Sequence, residues 1–282
     1  MANNKVIENI VENKYKHGFV TDIEQEQFDP GLDEDVIIRI SKRKGEPEFL
    51  KNWRLKAFSQ WRTSWLSREG CCAIAALIIM GLYAIGAIFF ETHWVAIGII
   101  GAILSIVTVF TTSMIYAQLK TVPRWNHWST PILFVSLSIS GGALMTGQVT
   151  VAMYGFVVVG LIQIFAWFSS DGRFARSGST IETATGLGNI GKVRMFEPPH
   201  TGTNYLLKEM VYVIGRKHAT KLRLLAIVLM VVIPVAMIGM GAQHGIKAII
   251  AVLSHVIGVF ASRWLFFAEA EHVVGLYYGK RG

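Results

Sequence analysis

Arg263 interrupts the last long apolar run of the chain, about one and a half helical turns before that run ends. Even on a lenient insertion scale a charge at the centre of a membrane helix costs about 2.5–3.5 kcal/mol, so an intramembrane guanidinium is a functional candidate by default. This close to a helix end it can also snorkel to the headgroups or pair with an acid, and Glu269, Glu271 and His272 follow directly. Glu69, in SWLSREG, stands at the mouth of the first apolar run beside Arg68. A carboxylate there either moves protons or pairs with that neighbour. Among the histidines only His255 lies well inside an apolar run. A haem held between two helices needs two such residues, so none is expected, and a lone buried histidine more often bonds to backbone. The two cysteines, Cys71 and Cys72, are adjacent and do not cross-link a fold. Gly186-Leu187-Gly188-Asn189-Ile190-Gly191 matches GxGxxG by letter but follows no strand of a βαβ unit, so nucleotide binding is not expected.

The elements that must position these groups follow from composition. Of the 282 residues 52% are hydrophobic and only 16% are charged, against about a quarter charged in soluble domains. A membrane helix needs about 20 mainly apolar residues to cross roughly 30 Å of hydrocarbon. Six stretches qualify: 71–90, 94–119, 129–147, 149–169, 222–242 and 248–268. Runs such as AIAALIIMGLYAIGAIFF carry no polar face at a 3.6-residue period, which a soluble helical core would require. The fold class expected is all-α: a polytopic membrane protein of about six transmembrane helices, preceded by a short soluble helical segment.

The charge distribution supports this reading. Residues 1–62 hold 11 acids and 11 bases, so the whole net charge of +8 lies in the apolar part. Of that part's 16 bases, 14 fall on the side reached by the loops after spans two and four and by both chain ends. That asymmetry is the positive-inside pattern and predicts a cytoplasmic face bearing both termini. It accounts for the basic balance without nucleic acid. In the N-terminal segment, three helices are expected. The first covers residues 5–17. The second opens at Asp33-Glu34-Asp35 and closes at Lys42-Arg43-Lys44, and the third starts after Glu46-Pro47.

Residues 15–58, YKHGFVTDIEQEQFDPGLDEDVIIRISKRKGEPEFLKNWRLKAF, resemble the N-terminal region of SufB, the iron–sulfur cluster assembly scaffold, with GEPEF…WRLKA as the specific signature. The β-helical core and late Cys, Glu and His residues of that family are missing here, so cluster chemistry carries over to no position. From about Ala57 the chain resembles the DmsC family, the membrane anchors of DMSO reductase-type molybdoenzymes. The matching stretches are AFSQWRTSWLSREG, SMIYAQLKTVPRWNHWSTP, TATGLGNIGKVRMFEPPHTGTNYLLKEM and RWLFFAEAEHVVGLYYG. The resemblance therefore divides the chain into 1–57 and 58–282. The SufB-like segment stands where that family has the first two of eight spans, and the family's His-Leu-Gly loop is missing.

The anchor resemblance implies electron passage between quinone (menaquinone or ubiquinone) and an iron–sulfur subunit, itself coupled to a molybdopterin catalytic subunit that acts on a DMSO-like acceptor or on sulfite. It implies no haem, and places molybdopterin and iron–sulfur clusters in the partner subunits only. A quinone site needs hydrogen-bond donors for the carbonyls and a proton-accepting group. The candidates are Glu69, Arg263, Glu269 and His272. The long loop 170–220 is the docking candidate through Lys192, Arg194, His200, Lys208 and Arg216, with attraction to anionic lipid as the competing reading. The alternative function is a membrane-tethered accessory fragment of iron–sulfur cluster assembly.

Overall fold

A computed structural model describes residues 31–194, 196–197, 214–241 and 245–278. The chain forms two compact units, Met1–Arg62 and Thr63–Gly282. The first of the three expected N-terminal helices lies outside the described residues.

In the first unit, helix α1 (Glu34–Arg43) starts at Asp33, whose side chain accepts from the Val36 N–H at 2.8 Å. Glu34 and Asp35 in its first turn and Lys42 and Arg43 in its last complement the helix dipole. Helix α2 (Glu48–Arg62) folds back through a turn at Gly45, whose φ of 60° suits glycine. The turn is locked by Glu46, which accepts from Ser41 Oγ at 2.9 Å and from Arg54 Nε and Nη2 at 2.8 and 2.7 Å. Those bonds to Arg54 hold the Glu46 carboxyl below the usual carboxylate range. Among the described residues of this unit, Ile37 and Phe58 are the buried apolar ones.

The second unit is a helical membrane bundle. Its apolar helices are α3 (Trp65–Phe89), α4 (Val95–Ala117), α5 (Ser129–Met145) and α6 (Val149–Ser170). A kinked fifth span follows, built from α10 (Ala219–Ile227), a π turn (Val228–Val232) and α11 (Ile233–Gly239), and α12 (Ile246–Ala268) is the last. Among the described residues five spans are long and apolar enough to cross a membrane; α5, with 17 residues, is shorter. Between α6 and the kinked span lie short helices α7 (Arg173–Arg176), α8 (Ile181–Thr185) and α9 (Ile214–Lys217), and a 3-10 turn, Val273–Tyr278, ends the described chain. Helices pack as the antiparallel pairs α3–α4 and α5–α6, while the kinked span packs on α12. The start of α3 precedes the apolar window because Ser64 caps it, accepting from the Ser67 N–H at 3.3 Å, so the charged Arg68 and Glu69 are already helical.

The kink in the fifth span has a local cause. Pro234 has no N–H to give the carbonyl four residues back, that of Met230. His255 Nδ1, on α12, meets the Met230 oxygen at 2.9 Å, and Ser254 Oγ donates to the Leu229 oxygen at 2.7 Å. The helices come this close because Gly258 lies against the backbone of Leu229 and Met230, where any Cβ would collide. His255 is thus a backbone-bonded core histidine.

Candidate functional site

Glu69 lies on the second turn of α3 and is bonded across to α4, where Thr112 Oγ1 approaches its Oε1 at 2.6 Å. The same hydroxyl lies 2.9 Å from the Thr108 oxygen. The hydroxyl's single proton is shared between the carboxylate and the helix carbonyl, and the contact ties α3 to α4. Arg68 is not the partner of Glu69: that guanidinium sits over the Trp65 ring, 4.7 Å from the centroid.

Arg263 lies in the other half of the bundle. Its guanidinium is sandwiched by Phe134 and Phe266, at 4.8 and 5.2 Å from the ring centroids. Its Nε and Nη1 are sealed from solvent and find no acceptor among the described residues. It lines a cleft of about 40 Å³ together with Gln163, Ser262, Ser129, Thr130 and Glu269. Ser262 Oγ donates to Gln163 Oε1 at 3.0 Å, so this wall of the cleft is polar and fixed. Gln163 and Ser262 were not among the sequence candidates, although Gln163 is the one amide inside its apolar run.

One face of α4 joins the two places. Thr112 and Tyr116 are one turn apart and share a side of the helix. Thr112 reaches Glu69, while the Tyr116 ring packs against Phe266 and Phe134 at 5.4 and 5.9 Å, the two rings that hold Arg263. Trp125 closes the cluster by stacking on Phe266 at 5.1 Å and donating its Nε1–H to the Phe266 oxygen at 2.9 Å.

Glu269 belongs to a closed ring of four charges. It accepts from Arg223 Nε at 2.8 Å and lies 3.5 Å from Arg124 Nη1; both arginines also hold Asp171, at 2.7 and 2.8 Å. The ring has a physical cause. Asp171 and Glu269 are the C-caps of α6 and α12, where the helix dipole disfavours an anion. The arginines offset that cost and tie the ends of α6, α10 and α12 to the loop after α4. Arg223 and Arg124 hold the Asp171 carboxyl below the usual carboxylate range against the opposing effect of burial. The partners are 46 or more residues apart in sequence, so no local pattern announces them.

His272 accepts the Val274 N–H at Nδ1, 2.9 Å away, in the turn beyond α12. Of the docking candidates, Lys192 and Arg194 are exposed. Arg216 instead caps α12, donating to the Ala268 and Ala270 oxygens at 3.3 and 2.9 Å, and burial pushes its guanidinium down from the ordinary arginine value. His200 and Lys208 lie outside the described residues. Gly186, opening the GxGxxG letters, is the left-handed C-cap of α8 and so follows a helix. Among the described residues no three His, Cys, Asp or Glu side chains converge as a metal site would need.

Comparison with known proteins adds two separate likenesses. The chain is 30% identical over 264 residues to the C subunit of the sulfite dehydrogenase of Allochromatium vinosum, a match spanning 83% of this chain and 78% of that one. A second, short stretch is similar to iron–sulfur cluster assembly SufBD family proteins. It is 53% identical over 53 residues to that of Pyropia yezoensis and 47% over 57 to that of Synechocystis sp.. The chain spans only 11% and 12% of the lengths of those two relatives. No family model matches the chain, and no solved structure matches it.

Proposed function

The chain belongs to the family of the sulfite dehydrogenase C subunits, and from that premise we propose that it is the multi-pass membrane component of a bacterial oxidoreductase complex. The observation that carries this reading is the match across 78% of a protein named for such a complex. In finer detail the chain is a DmsC-type anchor. It relays electrons between membrane quinone and an iron–sulfur subunit, which in turn serves a molybdopterin catalytic subunit.

The residues suit quinone as the membrane-borne substrate. Quinol oxidation and quinone reduction each move two electrons, exchanged with the iron–sulfur subunit, and two protons; in either direction Glu69, hydrogen-bonded to Thr112 where α3 enters the bilayer, passes one proton and water takes or gives the other. Arg263 holds N–H donors without an acceptor among the described residues, sealed behind Phe134 and Phe266, so a carbonyl oxygen reaches them only when those rings part. Ligand pockets begin at roughly 300 Å³, far above the cleft's 40 Å³, so the quinone ring lies at the cleft mouth and not within it. Glu269, committed to two arginines, positions helices. Exposed Lys192 and Arg194 face the iron–sulfur subunit, on the cytoplasmic side that the positive-inside pattern selects.

The test is Glu69→Gln in the assembled complex. Quinol-linked turnover should fall about 10²-fold, at the low end of general-base contributions, with membrane insertion and assembly unchanged. Unaltered turnover would remove Glu69 from the site; failure of the wild-type chain to co-purify with any redox subunit would overturn the function itself. The SufBD likeness favours a second reading, a membrane-tethered accessory to cluster assembly. It predicts that the full chain captures a cluster-assembly protein and loses it when residues 1–57 are removed.

A further inference from the structure

The α1–α2 hairpin carries an apolar face that the described residues of its unit leave uncovered. Phe49, Trp53, Ala57 and Trp61 recur every four residues along α2, an arc of about 120° on a helix turning 100° per residue. Phe49 is 73% exposed, Trp53 62% and Trp61 55%. The inward side of the hairpin is already satisfied by Ile37, Phe58 and the Glu46–Arg54–Ser41 lock. An open groove of about 360 Å³ runs between the two helices, with Leu32, Ile37 and Ile40 on one wall and Trp53, Ala57, Phe58 and Trp61 on the other beside Arg54, so the aromatic arc forms its outer edge. Exposed aromatic rings of this number on a charge-rich hairpin call for a partner that is apolar below and polar above.

Chain connectivity says which partner is in reach. Only Thr63 and Ser64 separate α2 from α3, the first bilayer-crossing helix. Three residue steps span at most about 10 Å, so Trp61 cannot be far from the headgroup layer, which is itself roughly 5–8 Å thick on each side. Charge agrees: residues 31–62 hold eight bases against five acids, with Lys56 bordering the aromatic arc. A basic amphipathic helix with tryptophans on its apolar side lies in the plane of an anionic membrane.

We propose that α2 is an interfacial membrane helix, its Phe49–Trp53–Ala57–Trp61 face buried at the headgroup–acyl boundary of an anionic leaflet. The soluble-looking segment is then a float on the membrane surface.

The test uses the full chain in phosphatidylcholine/phosphatidylglycerol vesicles, with Cys71→Ser and Cys72→Ser as background. One nitroxide is placed at Ala57→Cys within the aromatic arc and another at Asn52→Cys on the far side. Collision with oxygen, which concentrates in lipid, is compared with collision with a water-soluble nickel chelate. The oxygen-to-nickel ratio should be several-fold higher at position 57 than at 52, and should drop when phosphatidylglycerol is omitted. It should also drop in the Trp53→Ser, Trp61→Ser background; because that background can misfold, the lipid-composition comparison on the intact aromatic face stands by itself. Equal nickel access at both positions would overturn the proposal. Protection of position 57 from both reagents would overturn it too, by showing protein in place of lipid.

Discussion

The two halves of the membrane bundle are built from equally apolar helices and are held in different ways. In the α3–α4 hairpin, 11% of each apolar window is buried, against 28% in α6 and in the kinked span and 33% in α12. In lipid, apolar surface gives helices little reason to associate, so close packing and interhelical hydrogen bonds decide how firmly they hold. The hairpin has Thr112–Glu69 as its polar cross-link. The other half has Ser254 and His255 on freed carbonyls, Ser262–Gln163, and the four-charge ring at its end. Glu69 thus sits in the loosely held half, while the paired charges of the ring sit in the locked half.

Substitutions can break or sharpen that contrast. The largest stability effect is expected from Glu269→Gln, which leaves Arg223 and Arg124 short of a buried partner. By analogy with broken buried pairs it should cost about 3 kcal/mol, read as lowered thermal stability of the chain in detergent. Glu69→Gln should spare stability and strike turnover, about 10²-fold as above. His255→Leu should cost roughly 1–2 kcal/mol by orphaning the Met230 carbonyl, with little effect on turnover. Thr112→Val, in the hairpin, should cost only about 0.6 kcal/mol, the mean for interhelical bonds in a membrane protein. A comparable loss from Thr112→Val and His255→Leu would erase the distinction between the halves. The smallest effect is pH-dependent. Asp171 has a depressed carboxyl pKa, so its contribution is present above the ordinary aspartate value and fades as pH falls through the lower folded value. Melting of the wild type should therefore decline on acidification below about pH 4, and Asp171→Asn should flatten that decline.

Much of the fold was legible because hydrocarbon imposes a length. The windows 94–119, 129–147 and 149–169 fall within about two residues of α4, α5 and α6 at either end. The window at 71 starts six residues after Trp65, because charge at a capped helix start looks like a loop to an apolar criterion. Site candidates were legible as residue types and not as partnerships. Glu69 and Arg263 stand out in sequence as charges at or in apolar runs, whereas their contacts to Thr112 and to Phe134 and Phe266 do not. That Glu269 serves Arg223 and Arg124 rather than Arg263 depends on three helix ends meeting in space, which no spacing encodes. Arg216 reads as a loop cation in sequence yet caps α12, for the same reason.

The π turn also resets the winding of the fifth span. Ala226, Met230 and Pro234 are all buried, at intervals of four. In a uniformly wound α-helix such a series would slew sideways by about 40° per interval. The wider turn at Val228–Val232 rotates less per residue and so offsets part of that slew, and all three remain buried. Replacing Pro234 by leucine would return an N–H to the helix ladder and set it in competition with Ser254 and His255 for the carbonyls of Leu229 and Met230.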